Sequence, residues 1–207
     1  MSVDLLVAPC SHEAAKFAVM NWHYSRAMPA GKLLKFGVWE NGKFIGAVIF
    51  GWGANNNIGS PYGLKMTEVC ELVRVALTSH KSQVSQIVTA AMKALRVQSP
   101  GLRMFLSYAD PAHGHNGSIY QAMNWLYCGT QKTGSTLYFH NGKYVHQRTV
   151  SSFYGSITGL KKIKAEPKHC YLYPLDRAMR RQIEPLAQPY PKRADVGEIE
   201  SRDGSTV

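Results

Sequence analysis

Residues 68–108 read EVCELVRVALTSHKSQVSQIVTAAMKALRVQSPGLRMFLSY and predict a strand, an amphipathic helix and a second strand in direct succession. In the first strand, Glu68–Leu77, strict alternation of side chains places Glu71 and Arg74 on opposite faces. The helix is indicated by apolar residues at the spacing i, i+3, i+4 and i+7, namely Val84, Ile87, Val88, Ala91 and Leu95. A buried strand follows at Leu102–Tyr108. This order of elements is typical of an α/β fold.

The flanking sequence extends this pattern in both directions. Towards the amino terminus it predicts a strand at Leu5–Ala8, a helix capped by Ser11, and a hairpin at Lys35–Phe50 that turns at Asn41–Gly42. A long loop over residues 51–66 follows the hairpin, and loops of this length are often functional. Towards the carboxyl terminus the sequence predicts a polar turn at Asp110–Gly117, a short helix around Ile119–Met123, and strands at Tyr127–Thr130, Thr136–His140 and Tyr144–Val150.

Composition favours a packed protein of the cytoplasm. The chain has 207 residues, of which 45% are hydrophobic, and no apolar run approaches the roughly 20 residues that span a bilayer. The start of the chain does not resemble a signal peptide, so no export is expected. The four cysteines are far apart in the sequence, which predicts reduced thiols rather than a zinc site or a disulfide framework.

The charge distribution divides the chain into three parts. A net charge of +11 predicts affinity for polyanions such as nucleic acid, although a basic surface also serves solubility or anionic lipid. We expect a catalytic domain over residues 1–160 and a basic appendage over 161–193, with nine basic and three acidic residues. Its tyrosines suit stacking on bases, but a plain solvated helix is an equal alternative. Residues 194–207, acidic and without aromatics, are expected to be a disordered tail.

The element order resembles the GNAT (GCN5-related N-acetyltransferase) fold, a mixed sheet with flanking helices in which two central strands splay apart to admit an acyl donor. Specific residues strengthen the resemblance: Asn21–Arg26 (NWHYSR), Glu71–Arg74 (ELVR) and, above all, Ser107–Ala122 (SYADPAHGHNGSIYQA) followed by Trp125–Gly129 (WLYCG). These stretches closely resemble the Mom family of phage DNA modification proteins. The resemblance covers most of the chain, from the first helix to the basic appendage.

The resemblance implies an acyltransferase-like enzyme that converts adenine in phage DNA to its carbamoylmethyl derivative on the exocyclic amine, which protects the DNA from host restriction. It implies double-stranded DNA as partner and the cytoplasm of the infected bacterium as location. Because the exocyclic amine of paired adenine lies inside the duplex, we expect the base to be flipped, with Trp52 or Tyr62 as a stacking partner. The rival interpretations are an acetyl-CoA-dependent acetyltransferase acting on a protein or small amine, and a DNA-binding protein without catalytic activity.

The acyl donor is left open between acetyl-CoA and glycyl-tRNA. Most acetyltransferases of this fold hold the coenzyme A pyrophosphate with a glycine-bearing loop, whereas the corresponding stretch of this chain, Thr78–Ser85, has no glycine. Lys81 and Ser82 at the start of the helix are nevertheless the candidates for phosphate contact. An aminoacyl ester at the end of a tRNA is the alternative donor.

The candidate catalytic residues follow from the resemblance and from what the chemistry needs. The exocyclic amine is a weak nucleophile, so its attack requires a base and stabilisation of an oxyanion. Asp110 is the first candidate, as base or orienting group, although it could simply cap the turn before Pro111. His23 is a candidate proton acceptor and Tyr24 a donor or stacking surface. Ser107 and Tyr108 are candidates to hold the acyl carbonyl.

The remaining candidates bind donor or substrate. Arg74 suits a phosphate or carboxylate, whereas Glu71 could simply pair with a lysine. The loop Asn55–Asn57 could contact bases or be merely flexible. The predicted substrate-binding set is Glu71, Ser25, Trp52, Tyr62, His113, His115, Asn116 and Tyr120. Asp110, His113 and His115 could also bind iron or zinc, but their spacing matches no strong metal motif, so a metal is not favoured.

Overall fold

The computed structural model describes residues 3–52, 57–131, 136–147, 150 and 155–191. The predicted Asn55–Asn57 loop, apart from Asn57, and the predicted tail 194–207 lie outside these ranges. Among the α-helices are α1 His12–Trp22, α2 Val84–Gln98, α3 Ser118–Ala122 and α4 Arg177–Ile183. The strands are β1 Leu5–Pro9, β2 Leu33–Glu40, β3 Lys43–Gly51, β4 Val69–Leu77, β5 Met104–Ala109, β6 Leu126–Thr130, β7 Thr136–His140, β8 Lys143–His146, β9 Lys162–Lys164 and β10 His169–Pro174.

Seven of these strands form one mixed sheet in the order β1-β2-β3-β4-β5-β10-β6. Neighbouring strands are antiparallel except β4 and β5, which are parallel. A smaller three-stranded sheet has the order β8-β7-β9. The predicted α/β class and the mixed sheet with flanking helices are therefore confirmed.

Helices cover both faces of the main sheet, because each helix has an apolar side to bury. On one face α2 packs its buried residues, among them Ile87 and Leu95, against Phe36, Phe50 and Phe105. On the other face α1 packs Ala15, Ala18 and Val19 against β3 and β4. The small side chains of α1 allow that helix to lie close to the sheet.

The local sequence signals at turns and caps are confirmed. Asn41 and Gly42 have φ values of 48° and 77°, the two positive angles that a type I′ hairpin turn requires. The Ser11 side chain accepts a hydrogen bond from the Ala14 amide at 3.2 Å and so caps α1. The last predicted strand is shorter than expected, since β8 ends at His146 and Val150 is helical.

A β-bulge in β4 overturns the prediction that Glu71 and Arg74 lie on opposite faces. Ile49 pairs with Arg74 and the next residue, Phe50, pairs with Leu72, so Val73 has no opposite partner. One extra residue inverts the alternation beyond the bulge. Packing shows the inversion: Leu72 faces the α2 side, whereas Ala76 faces α1. Glu71 and Arg74 therefore share a face.

The segment after residue 160 contributes to the main sheet. β10 is inserted between β5 and β6, where Tyr171 pairs with Ser107 on one side and with Tyr127 on the other. Helix α4 buries Met179 and Ile183 against the same sheet. The expected appendage thus supplies a strand that no periodicity in the preceding residues requires. Within the described ranges, no helix is long and apolar enough to cross a membrane.

Candidate active site

The main sheet opens between its two parallel strands. Pairing of β4 with β5 ends at Glu71 and Leu106, although β4 continues to Leu77 and β5 to Ala109. The bulge at Val73 turns β4 away at this point, because bulges bend a strand. A cleft of about 440 Å³ occupies the opening, and its walls come from the end of α1, from β4, from the end of β5 and from residues 114–120.

His23 stands where α1 ends at the cleft. Its Nδ1 accepts a hydrogen bond from the Ser25 amide at 3.1 Å and lies 2.8 Å from the Ser25 hydroxyl. Burial, with Arg74 and two further histidines nearby, lowers the pKa of His23 to about 4. The imidazole is therefore neutral at pH 7, and with Nδ1 accepting, the proton resides on Nε2. His23 is thus arranged as a hydrogen-bond donor through Nε2.

Tyr24 forms an aromatic platform at the mouth of the cleft. Its ring centroid lies 4.3 Å from that of His23, 4.6 Å from His113 and 5.1 Å from His115. The residue is 50% exposed in spite of these three contacts. A half-exposed phenol ring held by three imidazoles offers a planar apolar surface to a ligand.

Arg74 points a guanidinium with spare donors into the same cleft. One terminal nitrogen donates to the Val73 carbonyl at 2.8 Å, while Nε is buried and has no hydrogen-bond partner among the described residues. Burial lowers the pKa of Arg74, but an arginine stays charged at neutral pH. A buried unpaired donor is costly, so the group is suited to an anionic or carbonyl oxygen of a ligand.

Glu71 lies at the apex of the opening, in the last residue pair that joins β4 to β5. Burial raises the pKa of its carboxyl to about 7, and the charges of Arg74 and Lys168 limit the rise. Near neutral pH the group is therefore divided between its acid and carboxylate forms. A carboxyl with these properties can accept and return a proton.

Asp110 begins the loop that follows β5 and has two partners. One oxygen accepts from the Ala112 amide at 3.2 Å, which is the turn-capping contact expected before Pro111. The other lies 2.9 Å from the Lys168 ammonium. Burial raises the pKa of Asp110, but Lys168 outweighs it, so the net pKa is below its usual value. Asp110 is ionised and anchored, which suits an orienting group better than a base.

Ser107, Tyr108 and Tyr120 occupy different positions around the opening. Ser107 is fully buried; its hydroxyl donates to the Leu72 carbonyl at 2.7 Å and lies 2.7 Å from the Tyr120 hydroxyl. It therefore ties β5 to β4 at the apex. Tyr108 and Tyr120 line the cleft, and burial raises the pKa of each hydroxyl to about 12, so both are protonated donors.

Asn116 and Ser25 complete the cleft region, Asn116 in the wall and Ser25 through its contact with His23. The Asn116 side chain accepts from the Ser118 amide at 3.2 Å, which fixes the turn into α3. Gly117, the residue between them, has a φ of 80°, and a Cβ there would meet the Tyr171 ring at 2.3 Å. Only glycine fits, because both the backbone angle and the close ring exclude a side chain.

The structure does not bring Trp52 and Tyr62 to the cleft. Trp52 lines a separate cavity of about 260 Å³ together with Leu34 and Thr67. Tyr62 packs into the cluster behind β5, and burial near Cys170 raises the pKa of its hydroxyl above its usual range.

The loop before α2 is filled by a side chain of the protein itself. The Glu40 carboxylate accepts from the Lys81 amide at 3.0 Å and from the Ser82 amide at 2.6 Å. Hydrogen bonds from Ser82 and Lys81 lower the pKa of Glu40, so it is ionised at neutral pH. The next amide, that of Gln83, bonds to the Gln86 side chain in a capping box. The amides that would hold a coenzyme A pyrophosphate are already bonded, and this loop does not fit that group.

Within the described ranges, no group of three or more His, Cys, Asp or Glu side chains is arranged to hold an ion. All four cysteines are free thiols.

Two contributors to this region were missed from the sequence. Lys168 pairs with Asp110 although the two are far apart in the chain, and Glu40 reaches the α2 loop from the β2–β3 hairpin. Neither belongs to a recognisable motif. The one available signal was the absence of glycine from Thr78–Ser85, which indicated an altered phosphate loop.

Comparison with known proteins agrees with the fold and specifies the family. An N-acyl amino acid synthase from uncultured soil microbes matches with a TM-score of 0.50 at 13% identity, covering 87% of this chain and 95% of its own. An aminoglycoside acetyltransferase in complex with coenzyme A and kanamycin matches with a TM-score of 0.53 at 10% identity, covering 87% and 99%. At this identity the likeness shows the fold alone.

Sequence relatives are more specific. The methylcarbamoylase of Escherichia phage Mu is 28% identical over 155 residues, which are 73% of this chain and 64% of that protein. The matched region therefore spans less than two thirds of the relative. A family model described as the Mom protein family matches residues 4–192. Since this match covers nearly the whole chain, the protein belongs to the Mom family.

Proposed function

We propose that this protein modifies adenine in double-stranded phage DNA, adding a carbamoylmethyl group to the exocyclic amine and so shielding the DNA from restriction in the cytoplasm of the infected bacterium. Membership of the Mom family and the name of the phage Mu relative support the reaction class. The structural observation that carries the proposal is a cleft that combines an exposed aromatic platform, Tyr24, with a buried guanidinium, Arg74. The carboxyl of Glu71 lies at the apex where the two strands part and is influenced by the charge of Arg74.

The platform is suited to a base that has left the duplex. Stacking on Tyr24, between the imidazoles of His113 and His115, would compensate for part of the lost stacking in the helix. Tyr24 takes the stacking role expected of Trp52 or Tyr62, since these two lie elsewhere. The exocyclic amine of the stacked base would then face the interior of the cleft.

Glu71 is the base in this proposal. As the amine attacks the donor carbonyl, its proton passes to the Glu71 carboxylate, and the bond to the donor's leaving oxygen breaks when that oxygen regains a proton. Arg74, the His23 Nε2–H group and the Tyr108 hydroxyl are the donors available to the developing oxyanion. Asp110, held by Lys168, orients the loop that closes the cleft.

Glycyl-tRNA is the donor we favour. An acyl carrier with a diphosphate would need the α2 amides that Glu40 occupies, whereas an aminoacyl ester would not. Glycyl transfer also supplies all the atoms of the product. After acylation of the exocyclic amine, the free glycyl amine attacks ring carbon 6 to form a five-membered spiro intermediate. The original carbon–nitrogen bond then breaks, which leaves the glycine nitrogen on the ring and the adenine nitrogen as the terminal amide.

Isotopic nitrogen in the glycine tests this route. The label must finish attached to the purine ring in the isolated nucleoside. A label in the terminal amide would exclude the rearrangement while leaving the modification itself established.

Mass spectrometry of nucleosides from plasmid DNA tests the function as a whole. Expression of the protein in a bacterium should yield a deoxyadenosine heavier by one carbamoylmethyl group, and an Asp110→Ala variant should retain DNA affinity but give little product. Unmodified DNA in cells that contain folded protein, with tight acetyl-CoA binding, would favour the acetyltransferase alternative. If neither the unaltered protein nor Asp110→Ala forms the modified base while both bind DNA equally well, a DNA-binding protein without catalytic activity is favoured.

A further inference from the structure

Residues 131–168 form an insertion that leaves and rejoins the main sheet beside the cleft. β6 ends at Thr130, β10 begins at His169, and these two residues pair with each other. His169 also pairs with Ala109, the residue before Asp110 in the cleft wall. The amide of Gln131 donates to the Lys168 carbonyl at 2.9 Å and closes the base of the insertion. The small sheet β8-β7-β9 therefore grows from the rim of the candidate active site.

This insertion accounts for more than half of the net charge of the protein. It contains seven lysines and arginines and one acidic residue, Glu166, a net +6 within a chain of net +11. The insertion is less than a fifth of the sequence. Charge this dense attracts a polyanion, because each phosphate contact releases a counterion.

Strand β9 presents its lysines side by side. Lys162 and Lys164 pair with Tyr138 and Thr136 of β7, so both side chains lie on one face of the small sheet. Residues two apart on a strand are spaced about 6.6 Å. β9 is exposed along its whole length, and none of the ion pairs found within the described residues involves Lys162 or Lys164. These two ammonium groups are therefore available to an external anion.

The other face of the small sheet exposes aromatic rings. Phe139 and Tyr144 are cross-strand partners with ring centroids 5.2 Å apart, and they are 42% and 36% exposed. Ile163, which pairs with Leu137 on the same face, is 39% exposed. The small sheet therefore has a basic face, with Lys162 and Lys164, and an opposite face that exposes aromatic rings.

We propose that the small sheet binds the phosphate backbone of the DNA duplex next to the target adenine, with Lys162 and Lys164 as phosphate contacts. This inference rests on the proposed function for the identity of the polyanion. The basic contact is assigned to the insertion that begins before residue 160, and not to the whole of residues 161–193, because β10 and α4 are built into the main sheet. Anchored at the rim, the small sheet would hold the duplex while one base enters the cleft.

The test is duplex binding by the full chain with both lysines reversed, Lys162→Glu with Lys164→Glu, measured by fluorescence anisotropy over a range of salt concentrations. The matched control is Lys16→Glu with Lys93→Glu, which makes the same change in net charge at exposed positions of α1 and α2. We expect the β9 variant to bind at least tenfold more weakly than the control. Its slope of log affinity against log salt should be shallower by about 1.8, or 0.9 for each lost phosphate.

Equal affinity and equal salt slope for the two variants would overturn the proposal. A loss of affinity for transfer RNA with duplex affinity unchanged would also overturn it, because the surface would then bind the glycyl-tRNA donor and not the DNA. The modified nucleoside is measured separately. If it forms while the variants bind alike, the proposed function stands and the surface assignment fails. If the β9 variant binds duplex more weakly than the control but the unaltered protein forms no modified base, the surface assignment stands and the proposed function fails.

Discussion

Glu71 is the residue whose chemistry depends most on where the fold places it. A glutamate in water is fully ionised at pH 7, whereas burial at the apex of the splayed strands raises the pKa of Glu71 to about 7. The rate of DNA modification should therefore increase as the pH rises through about 7. In Glu71→Gln we expect this rising limb of the pH–rate profile to disappear. The rate should fall by about 100-fold or more, which is the usual contribution of a general base.

Stability provides the control for Glu71. The folded protein binds this proton more tightly than the unfolded chain, so ionising Glu71 destabilises the fold as the pH rises between about 4.5 and 7. Glu71→Gln removes that penalty and should melt no lower than the unaltered protein at pH 8. Glu166→Gln, at an exposed position, should change neither property. An inactive Glu71→Gln that also melts early at pH 8 would indicate a structural role only.

Lys168 acts on the site through its charge. It bonds to Asp110 and lowers the pKa of Glu71 and of Asp110, so its removal should raise both. In Lys168→Met we expect the midpoint of the pH–rate limb to move to higher pH. Lys161→Met, a neighbouring exposed lysine, should leave the midpoint in place. A uniform loss of rate at every pH, with no movement of the midpoint, would contradict this role.

At the scale of elements, the loop before α2 determines which donor is acceptable. Because the Glu40 carboxylate fills its amides, we expect no saturable binding of coenzyme A by titration calorimetry, with a coenzyme A-dependent acetyltransferase as positive control. Saturable binding to the unaltered chain would contradict the assignment.

Glu40→Gln tests the same contact by stability. The pKa of Glu40 is lowered in the folded protein, so its stabilisation is present above the ordinary pKa of 4.5 and is lost as the pH falls below it. The variant should therefore lower the melting temperature more at pH 7 than at pH 3. An equal loss at both values would mean that packing rather than charge is removed.

The bulge in β4 shows why sequence periodicity predicts the strand but not which of its side chains share a face. Alternation correctly predicts the strand, and apolar spacing correctly predicts α2, because both depend on local periodicity. The inserted residue at Val73 has no sequence signal, since a bulge is set by how β4 pairs with β3. Glu71 and Arg74 thus share a face of the sheet, contrary to strict alternation.

At the scale of the whole molecule, β10 joins the late part of the chain to the early part. It lies between β5 and β6, so a chain that ends at residue 160 would leave both strands with unpaired edges and remove the helix that covers them. We expect that chain to be insoluble or unfolded on expression. A chain that ends at residue 191 keeps the hydrogen bond from the Tyr190 hydroxyl to the Trp125 carbonyl and should melt like the full protein. A folded 1–160 fragment would instead support an independent catalytic domain.

By itself, the sequence determined the α/β class, most helices and strands, the Asn41–Gly42 turn, the family, and the residues of the turn after β5, because these depend on local periodicity, turn chemistry and recognisable motifs. Only the tertiary structure decided that Glu71 shares a face of the sheet with Arg74, that Lys168 holds Asp110, that Glu40 fills the α2 loop, and that β10 enters the sheet. Each of these is a contact between residues distant in the chain. Strand pairing and burial bring such residues together. Contacts of this kind cannot be predicted from local sequence, because they impose no periodic pattern on the residues around either partner.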